Sequence, residues 1–304
     1  MNNLQPATFQ LETIEAHLRE TYSAPATIET AEQHIRVFIA WWQETFGETF
    51  EPAKITNYAL KLYQKHSLEV ARVAPNTWNS RLWALSIYTN WIEATLGASY
   101  SNLLAGCKNK EQGIRPSKYR SLSPKEIHDL MQSLERDIRG AVTPFDYQTS
   151  KRDSALLTLM LRTGLRVAEV TALDLTDITI NERSGSVRVR NGKGSKERIV
   201  PLNLEAREAL NELCANATAT ALFSGKNSER LSCRQIERIV AYQGARIGIA
   251  DMSPHWLRYT FAKTLERASR PIEMIRDLLG HENIETTRKY LRSSFDELQS
   301  AVEI

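Results

Sequence analysis

The chain has 304 residues, with 39 Lys and Arg against 36 Asp and Glu, a formal net charge of +3 and 42% hydrophobic residues. This composition excludes a disordered or fibrous chain, and the length suggests about two domains that each bury a core. No apolar run is long enough to span a bilayer, and three scattered cysteines without a CxxC pair fit a reducing compartment, so we predict a cytoplasmic protein with no membrane partner.

The N-terminal part of the sequence has apolar residues at the spacing of an α-helix. Thr27 fits an N-cap at the start of the clearest helical segment. The aromatic residues of these segments favour a packed core over a platform for stacking bases. We therefore predict a small helical bundle over residues 1–107. The helical segments are 9–18, 27–46, 55–63 and 78–96.

Residues 97–119 lose this periodicity and are rich in Ser, Gly, Asn and Lys, which indicates a linker between two domains. We place a basic linker at residues 108–120, which hold five cations and one anion. A second cluster, residues 183–198, holds six cations and one anion. Clusters of this kind attract polyanions, although an ordinary solvated surface explains them equally well.

A second domain is predicted over residues 121–304. Its first helix begins with Ser123 as N-cap and Glu126 completing a capping box. A buried helix over 153–161 follows, and Gly164 separates it from the next helix.

The middle of this domain changes to a β pattern. Residues 178–180, 186–190 and 197–202 are predicted strands, with a tight hairpin turn at 191–194. From about Leu204 to the end the pattern is helical again. The predicted fold class is therefore mainly α, with a small three-stranded antiparallel sheet.

Six side chains of the second domain are candidates for chemistry on a phosphate. His255 and Arg258 lie one turn apart at the start of a helix, where the helix dipole disfavours cations unless an anion completes the site. His281 directly follows Gly280, a natural helix terminator. Two Arg, two His, a Lys and a Tyr supply what metal-free phosphoryl transfer needs, namely charge neutralisation, a nucleophile and a proton donor. The six are Arg166, Lys193, His255, Arg258, His281 and Tyr290.

Each candidate also has an ordinary explanation when taken alone. Arg166 and Glu169 fit a surface ion pair, Lys193 fits a solvated turn, and a single Tyr usually packs in a core. The sequence offers no carboxylate cluster and no His or Cys spacing typical of a metal site.

Taken in order, the candidates resemble the tyrosine recombinase (phage integrase, Xer-like) family. The similarity is strong over residues 120–292, whereas the N-terminal helices are similar to the family's core-binding domain only in length and pattern. The chain departs from the family at Tyr259, where many relatives have His, and residues 136–151 are longer than a minimal member needs. The matching segments are 122–127, 163–169, 192–198, 253–258, 279–281 and Tyr290.

The resemblance implies a nucleophile and its anion site. Tyr290 would attack a scissile phosphate, form a 3′-phosphotyrosyl bond and release a 5′-hydroxyl. Arg166 and Arg258 would neutralise the non-bridging oxygens, and His281 would add a hydrogen bond there.

The resemblance also implies how protons move. His255 would assist proton removal from the tyrosine, Lys193 would protonate the leaving 5′-oxygen, and Glu169 would support the first arginine. The covalent ester conserves the energy of the broken bond, so neither a cofactor nor a metal is implied.

The implied partner is double-stranded DNA with paired recombination sites, bound by a homotetramer of two dimers that acts through a Holliday junction. The tail at residues 295–304 would dock on a neighbouring protomer, with docking in cis as the alternative. A helix after Ser232 suits a major groove, although an ordinary exposed helix is also possible. The expected location is the cytoplasm, in association with the nucleoid. The predicted DNA-contact residues are Lys108, Lys110, Arg115, Arg188, Arg190, Lys196, Arg198, Arg234, Gln235 and Arg238.

Other functions stay open at the level of the sequence. A DNA-binding regulator of the same fold would not cleave, and a type IB topoisomerase-like enzyme would use similar chemistry without exchanging strands between sites. A metal nuclease is disfavoured by the missing carboxylate cluster. The sequence does not distinguish resolution or integration of a mobile element from resolution of chromosome dimers.

Overall fold

The computed structural model describes residues 12–22, 25–110, 120–190, 197–215, 220–225 and 228–291. Within these ranges, the side chains outside the description are those of Glu12, Thr13, Glu15, Ala26, Lys289 and Tyr290. The chain divides into two compact units, Met1–Pro116 and Ser117–Ile304.

The first unit is helical. Its two long helices, Pro25–Phe46 and Pro75–Leu96, pack against each other, and a π-helical turn, His66–Val70, extends the helix Asn57–Lys65. Because the first of these long helices begins at Pro25, the prediction of an N-cap at Thr27 is wrong. The helices are α1 Glu12–Thr21, α2 Pro25–Phe46, α3 Asn57–Lys65 and α4 Pro75–Leu96.

Aromatic side chains fill the core of this unit. The ring of Phe38 is fully buried and lies edge-on to Tyr63 and Phe50, with centroid distances of 5.1 and 5.6 Å. Edge-to-face pairs of this kind add stabilisation beyond the buried area. The prediction that the aromatic residues form a core is confirmed, except that Tyr58 is 73% and Phe46 is 38% exposed.

The residues that follow α4 stay attached to the bundle. Leu103 is buried in its core. The indole of Trp78 donates to the carbonyl of Lys108 at 3.0 Å, and Asn79 hydrogen-bonds both backbone groups of Lys110. The backbone up to Lys110 is therefore held by α4, while both lysine side chains are exposed.

The second unit is built around one buried helix. The helix Pro144–Thr163 has all of its residues 155–161 buried. It packs against the helices Pro124–Arg139, Leu204–Ala215 and Pro254–Arg267. The helices are α5 Pro124–Arg139, α6 Pro144–Thr163, α7 Val167–Ala172, α8 Leu204–Ala215, α9 Cys233–Arg246, α10 Pro254–Arg267, α11 Ile272–Leu279 and α12 Ile284–Tyr290.

Two capping boxes open the first two helices of this unit. Ser123 Oγ accepts from the Glu126 backbone N–H, and the Glu126 carboxylate accepts from the Ser123 N–H, as predicted. Thr143 and Asp146 form the same arrangement at the start of α6. The buried helix therefore begins well before residue 153, and the long 136–151 segment becomes the end of α5 and the first turns of α6.

A three-stranded antiparallel sheet of order β1-β2-β3 confirms the predicted fold class. Its strands are β1 Ile178–Ile180, β2 Gly185–Val189 and β3 Arg198–Pro201. Val187 pairs with both Ile178 and Val200, and the two valines are buried in the core of the unit. The predicted hairpin turn at 191–194 lies outside the described residues.

The prediction of helix from Leu204 onwards is wrong between α8 and α9. The described residues there form isolated β-bridges, Asp174 with Ala221 and Ser224 with Arg230. Across the described ranges, no helix is long and apolar enough to cross a membrane.

Candidate active site

The C-terminal end of α11 is the centre of the site. Gly280 ends the helix in the left-handed conformation, with φ 64° and ψ 49°. Beyond this point the last carbonyls have no partner within the helix, and they carry the negative end of the helix dipole. We call the carbonyls of residues 278–280 the carbonyl triplet. Each accepts a hydrogen bond from a different arginine: Arg198 Nε to Leu278 O at 3.3 Å, Arg258 Nη2 to Leu279 O at 2.8 Å and Arg166 Nη2 to Gly280 O at 3.1 Å.

Glu169 joins two of these arginines. Its Oε1 accepts from Arg166 Nη1 at 2.8 Å and from Arg198 Nη1 at 2.9 Å, and its Oε2 accepts from the Arg166 backbone N–H and from Arg198 Nη2. The carboxylate is only 4% exposed. Burial alone would raise the pKa of Glu169, but the hydrogen bonds from Arg198 and Arg166 outweigh it and leave the pKa lowered. Glu169 is thus a buried, ionised support, and the alternative of a simple surface ion pair is wrong.

Arg258 lies deeper than Arg166. Its side chain is 2% exposed, whereas that of Arg166 is 29% exposed. Arg258 Nη1 donates to Gly164 O at 2.6 Å, and Nη2 donates to His281 Nε2 at 2.8 Å in addition to its bond with the carbonyl triplet. Gly164 ends α6 with φ 63°, and a Cβ there would lie 2.5 Å from Phe261. Glycine therefore fits this left-handed turn against Phe261, and the turn presents the Gly164 carbonyl to the guanidinium.

His281 is buried between two partners. A guanidinium only donates, so His281 Nε2 is the acceptor in the contact with Arg258. The proton is therefore assigned to Nδ1, which donates to Thr287 Oγ1 at 2.8 Å. Burial, and then the charge of Arg258, lowers the pKa of His281 to about 3, so the ring is neutral near pH 7. In this arrangement the N–H of His281 points to Thr287, which differs from the predicted hydrogen bond to a phosphate.

His255 stands near the start of α10. Ser253 and Pro254 occupy the N-cap and first position, as predicted, and place His255 at the exposed end of the helix. Partial burial, and then the charges of Arg258 and Arg166, lowers the pKa of His255. A neutral imidazole there is able to accept a proton at neutral pH.

The remaining two catalytic candidates are placed only in part. Tyr290 is the last residue of α12, which packs against α11 and α10, while its side chain lies outside the description. Lys193 lies outside the described residues. Among the described residues, no group of three or more His, Cys, Asp or Glu could hold a metal ion.

The structure thus brings Arg166, Glu169, Arg258 and His281 together, with His255 on the same helix as Arg258. Sequence reasoning missed Thr287 and the carbonyl triplet. A threonine one turn before the tyrosine carries no distinguishing signal, and backbone carbonyls become visible only once the helix end is in place.

Several predicted DNA-contact residues have other partners. Arg198 is 14% exposed and bonded to Glu169, so the geometry corrects its assignment as a DNA contact. Arg190, directly after β2, pairs with Asp174 and Asp177, and Arg188 Nε lies 3.5 Å from Asp177 Oδ1. The predicted basic cluster is therefore partly neutralised by two aspartates that precede it in the sequence.

Helix α9 has the predicted amphipathic pattern, with Ile236 and Val240 fully buried and Arg234 and Arg238 exposed. The side-chain carbonyl of Gln235 accepts from the backbone and hydroxyl of the N-cap serine and forms a capping box, whereas its contact with DNA stays a prediction. The predicted contacts Arg115 and Lys196, and the tail at 295–304, lie outside the described residues.

In sequence, residues 120–297 match the model of the phage integrase family. The chain is 37% identical over 191 residues to the tyrosine recombinase XerC of Corynebacterium glutamicum, a match that covers 60% of this chain and 61% of that protein. It is 41% identical over 152 residues to the tyrosine recombinase XerC of Neisseria meningitidis, covering 48% and 49% of the two chains. The matched region spans less than two thirds of the length of each relative.

In structure, the chain is similar to the XerH site-specific recombinase bound to its difH substrate, with a TM-score of 0.71 and 20% identity over 99% of this chain and 86% of the other. It is also similar to a lambda integrase dimer bound to a COC′ core site, with a TM-score of 0.68 and 15% identity over 94% and 77% of the two chains. At these identities the likeness is one of fold.

Proposed function

Because the chain belongs to the phage integrase family, the tyrosine recombinases, we propose that it is a site-specific DNA recombinase. It cleaves and rejoins DNA strands through a 3′-phosphotyrosyl intermediate and a Holliday junction. The observation that carries this proposal is the convergence of Arg166, Arg258 and His281 on the end of α11, against which the helix that carries Tyr290 packs.

The anion site explains how phosphate charge is neutralised. The Arg166 guanidinium donates one N–H to Glu169 and one to Gly280, and its partly exposed side chain keeps further N–H groups for a non-bridging oxygen. Arg258 is buried, and its positive charge acts there in a low effective dielectric constant. Both guanidinium groups are aligned before substrate binds, so little reorganisation accompanies the transition state.

The covalent step forms one bond and breaks another. The Tyr290 oxygen bonds to phosphorus, the bond from phosphorus to the 5′-oxygen breaks, and the reverse attack by a 5′-hydroxyl rejoins the strand. A free phenol has a pKa of about 10, so it needs a base near neutral pH. In this proposal neutral His255 accepts the phenolic proton, and Lys193 donates a proton to the leaving 5′-oxygen.

The proposed partner is double-stranded DNA with paired sites, bound by a homotetramer in which the 295–304 tail docks in trans. The DNA complexes of XerH and lambda integrase support a DNA partner for this fold. A core-binding domain at 1–107, a basic linker at 108–120 and a catalytic domain at 121–304 would grip the duplex together. The proposed setting is the cytoplasmic nucleoid, where the enzyme resolves or integrates a mobile element or resolves chromosome dimers.

The test compares the wild type with Tyr290→Phe on duplex DNA taken from the regions that flank its gene. We expect both proteins to bind this DNA with the same Kd and only the wild type to form an adduct that survives SDS. An adduct with the phenylalanine variant would overturn the assignment of the nucleophile.

A plasmid with two copies of the bound site separates the remaining functions. Exchange between the sites supports the recombinase. Relaxation without exchange would indicate a topoisomerase, and binding with neither adduct nor relaxation would indicate a regulator of the same fold.

A further inference from the structure

Thr287 lies in the interior of the site although no step above uses it. Its side chain is fully buried, and its Oγ1 lies 2.8 Å from His281 Nδ1. It belongs to α12 and stands one helical turn before Tyr290, so the two positions lie on one side of that helix. The hydroxyl is thus a direct contact between the nucleophile's helix and the anion site.

The contact continues through the imidazole to an arginine. With Thr287 accepting from Nδ1–H, the lone pair of His281 is at Nε2, where Arg258 Nη2 donates at 2.8 Å. Were the other tautomer present, two N–H groups would face each other and the contact with Arg258 would be repulsive. Arg258 sets this tautomer because a guanidinium only donates, and the threonine hydroxyl supplies the acceptor that the buried Nδ1–H then needs.

We infer that Thr287 is a positioning residue, which acts through His281 to align Arg258. The alignment of the anion site therefore depends on how α12 packs against it. This inference rests on the proposed function. Movement of α12 away from α11 breaks the contact between Thr287 and His281. Arg258 therefore keeps all of its hydrogen bonds only while the helix that carries Tyr290 packs against α11.

The alternative is that Thr287 simply fills space. Two substitutions separate these roles, since Thr287→Val keeps the shape and removes the acceptor, whereas Thr287→Ser keeps the acceptor and loses a methyl group. Thr286, the exposed neighbour on the same helix, supplies a matched control as Thr286→Val.

The first experiment measures single-turnover formation of the DNA adduct at saturating DNA. A lost hydrogen bond and an unsatisfied buried N–H predict a rate about tenfold lower for Thr287→Val, with DNA affinity unchanged. We expect Thr287→Ser and Thr286→Val to stay within about twofold of the wild type. A serine variant as slow as the valine variant would point to space filling and overturn the inference.

The second experiment needs no DNA. In nitrogen-15 spectra of the histidine side chains, wild-type His281 should show the Nδ1–H tautomer and stay neutral to about pH 4. In Thr287→Val the buried Nδ1–H loses its acceptor, so the Nδ1 signal should shift, and in Thr287→Ser it should match the wild type. An Nε2–H tautomer in the wild type, or an Nδ1 signal that is unchanged in the valine variant, would refute the coupling. If no DNA gives an adduct with the wild type, the proposed function fails while these spectra still decide the coupling.

Discussion

Glu169 shows at the scale of a single residue how much of the site depends on one charge. We predict that Glu169→Gln lowers the free energy of unfolding by about 3 kcal/mol, because it leaves two guanidinium groups without their buried counter-charge. Chemical denaturation would measure the loss. Glu205→Gln is the matched control, since its ion pair with Arg162 is 25–38% exposed and should cost less than about 1 kcal/mol. Equal losses would mean that Glu169 is no more buried in solution than Glu205.

His281 predicts how stability depends on pH. Its pKa is lowered from 6.5 to about 3 in the folded protein, so the unfolded chain binds a proton that the folded one does not bind. Stability is therefore complete above about pH 6.5 and falls as the pH drops towards 3, by at most about 1.4 kcal/mol per pH unit. The lowered pKa of His255 acts in the same direction.

The measurement is the free energy of unfolding between pH 7 and pH 5. His281→Gln should flatten the dependence on pH without abolishing it. An unchanged slope would show that His281 is not the group responsible.

Residue partnerships were predictable only where sequence spacing sets them. The contact of Arg166 with Glu169, three residues apart, follows from helix geometry. The contact of Glu169 with Arg198 depends on where β3 lies after the sheet has formed, so Arg198 read as one more surface cation. Thr287 and His281 are joined across a helix start that gives no sequence signal for the pairing.

At the scale of the element, Gly280 determines how α11 ends. We predict that Gly280→Ala destabilises the protein by more than the about 1–2 kcal/mol of left-handed strain alone. A Cβ there would lie 2.7–2.9 Å from the guanidinium of Arg198, which is pinned to Glu169 and cannot move without breaking those bonds.

Gly248→Ala is the control, measured by the same denaturation. Gly248 has φ 81° and nothing within 4 Å of a Cβ, so its substitution should cost the strain only. The same loss at both positions would mean that Arg198 yields freely.

Element boundaries followed from local chemistry where a complete capping box was recognised, but not at Thr27, where a single residue type suggested the cap. Ser123 and Glu126 fixed the start of α5 correctly, and Ile178–Ile180 was predicted to the residue. The equivalent signal at Thr143 was overlooked because the polar first turns of α6 do not share the apolar pattern of its buried end. The bridges between α8 and α9 depend on partners elsewhere in the fold, which no local pattern reveals.

At the scale of the whole molecule, the distribution of paired and unpaired cations should decide the salt dependence of DNA binding. Arg238→Ala should reduce the slope of log K against log salt by about one unit, because its exposed charge is available to a phosphate. Arg190→Ala should change the slope by less than about half a unit, since Asp174 and Asp177 already balance it. The check is a filter-binding or polarisation titration at several salt concentrations. Equal slopes for the two variants would contradict this division of the charges.

The fold class was predictable because periodicity reports burial along each segment, and burial depends mainly on which face is apolar. The charge balance of the surface was not, since the two aspartates that neutralise Arg188 and Arg190 lie outside the 183–198 cluster. Counting charges along the chain overstated that cluster and gave no hint that Arg198 is only 14% exposed and bonded to Glu169.

The carbonyl triplet has a consequence for genetics. Its acceptors are main-chain oxygens, and every substitution at residues 278 and 279 preserves them. Alanine scanning would therefore leave the acceptor atoms in place, and a defect at the buried Leu279 would report lost side-chain packing and not a lost acceptor. Chemistry that alters the peptide group itself, such as an amide-to-ester replacement introduced by protein ligation, is what reaches them. The position of the three carbonyl oxygens is thus set by the backbone conformation at the end of α11, which depends on Gly280.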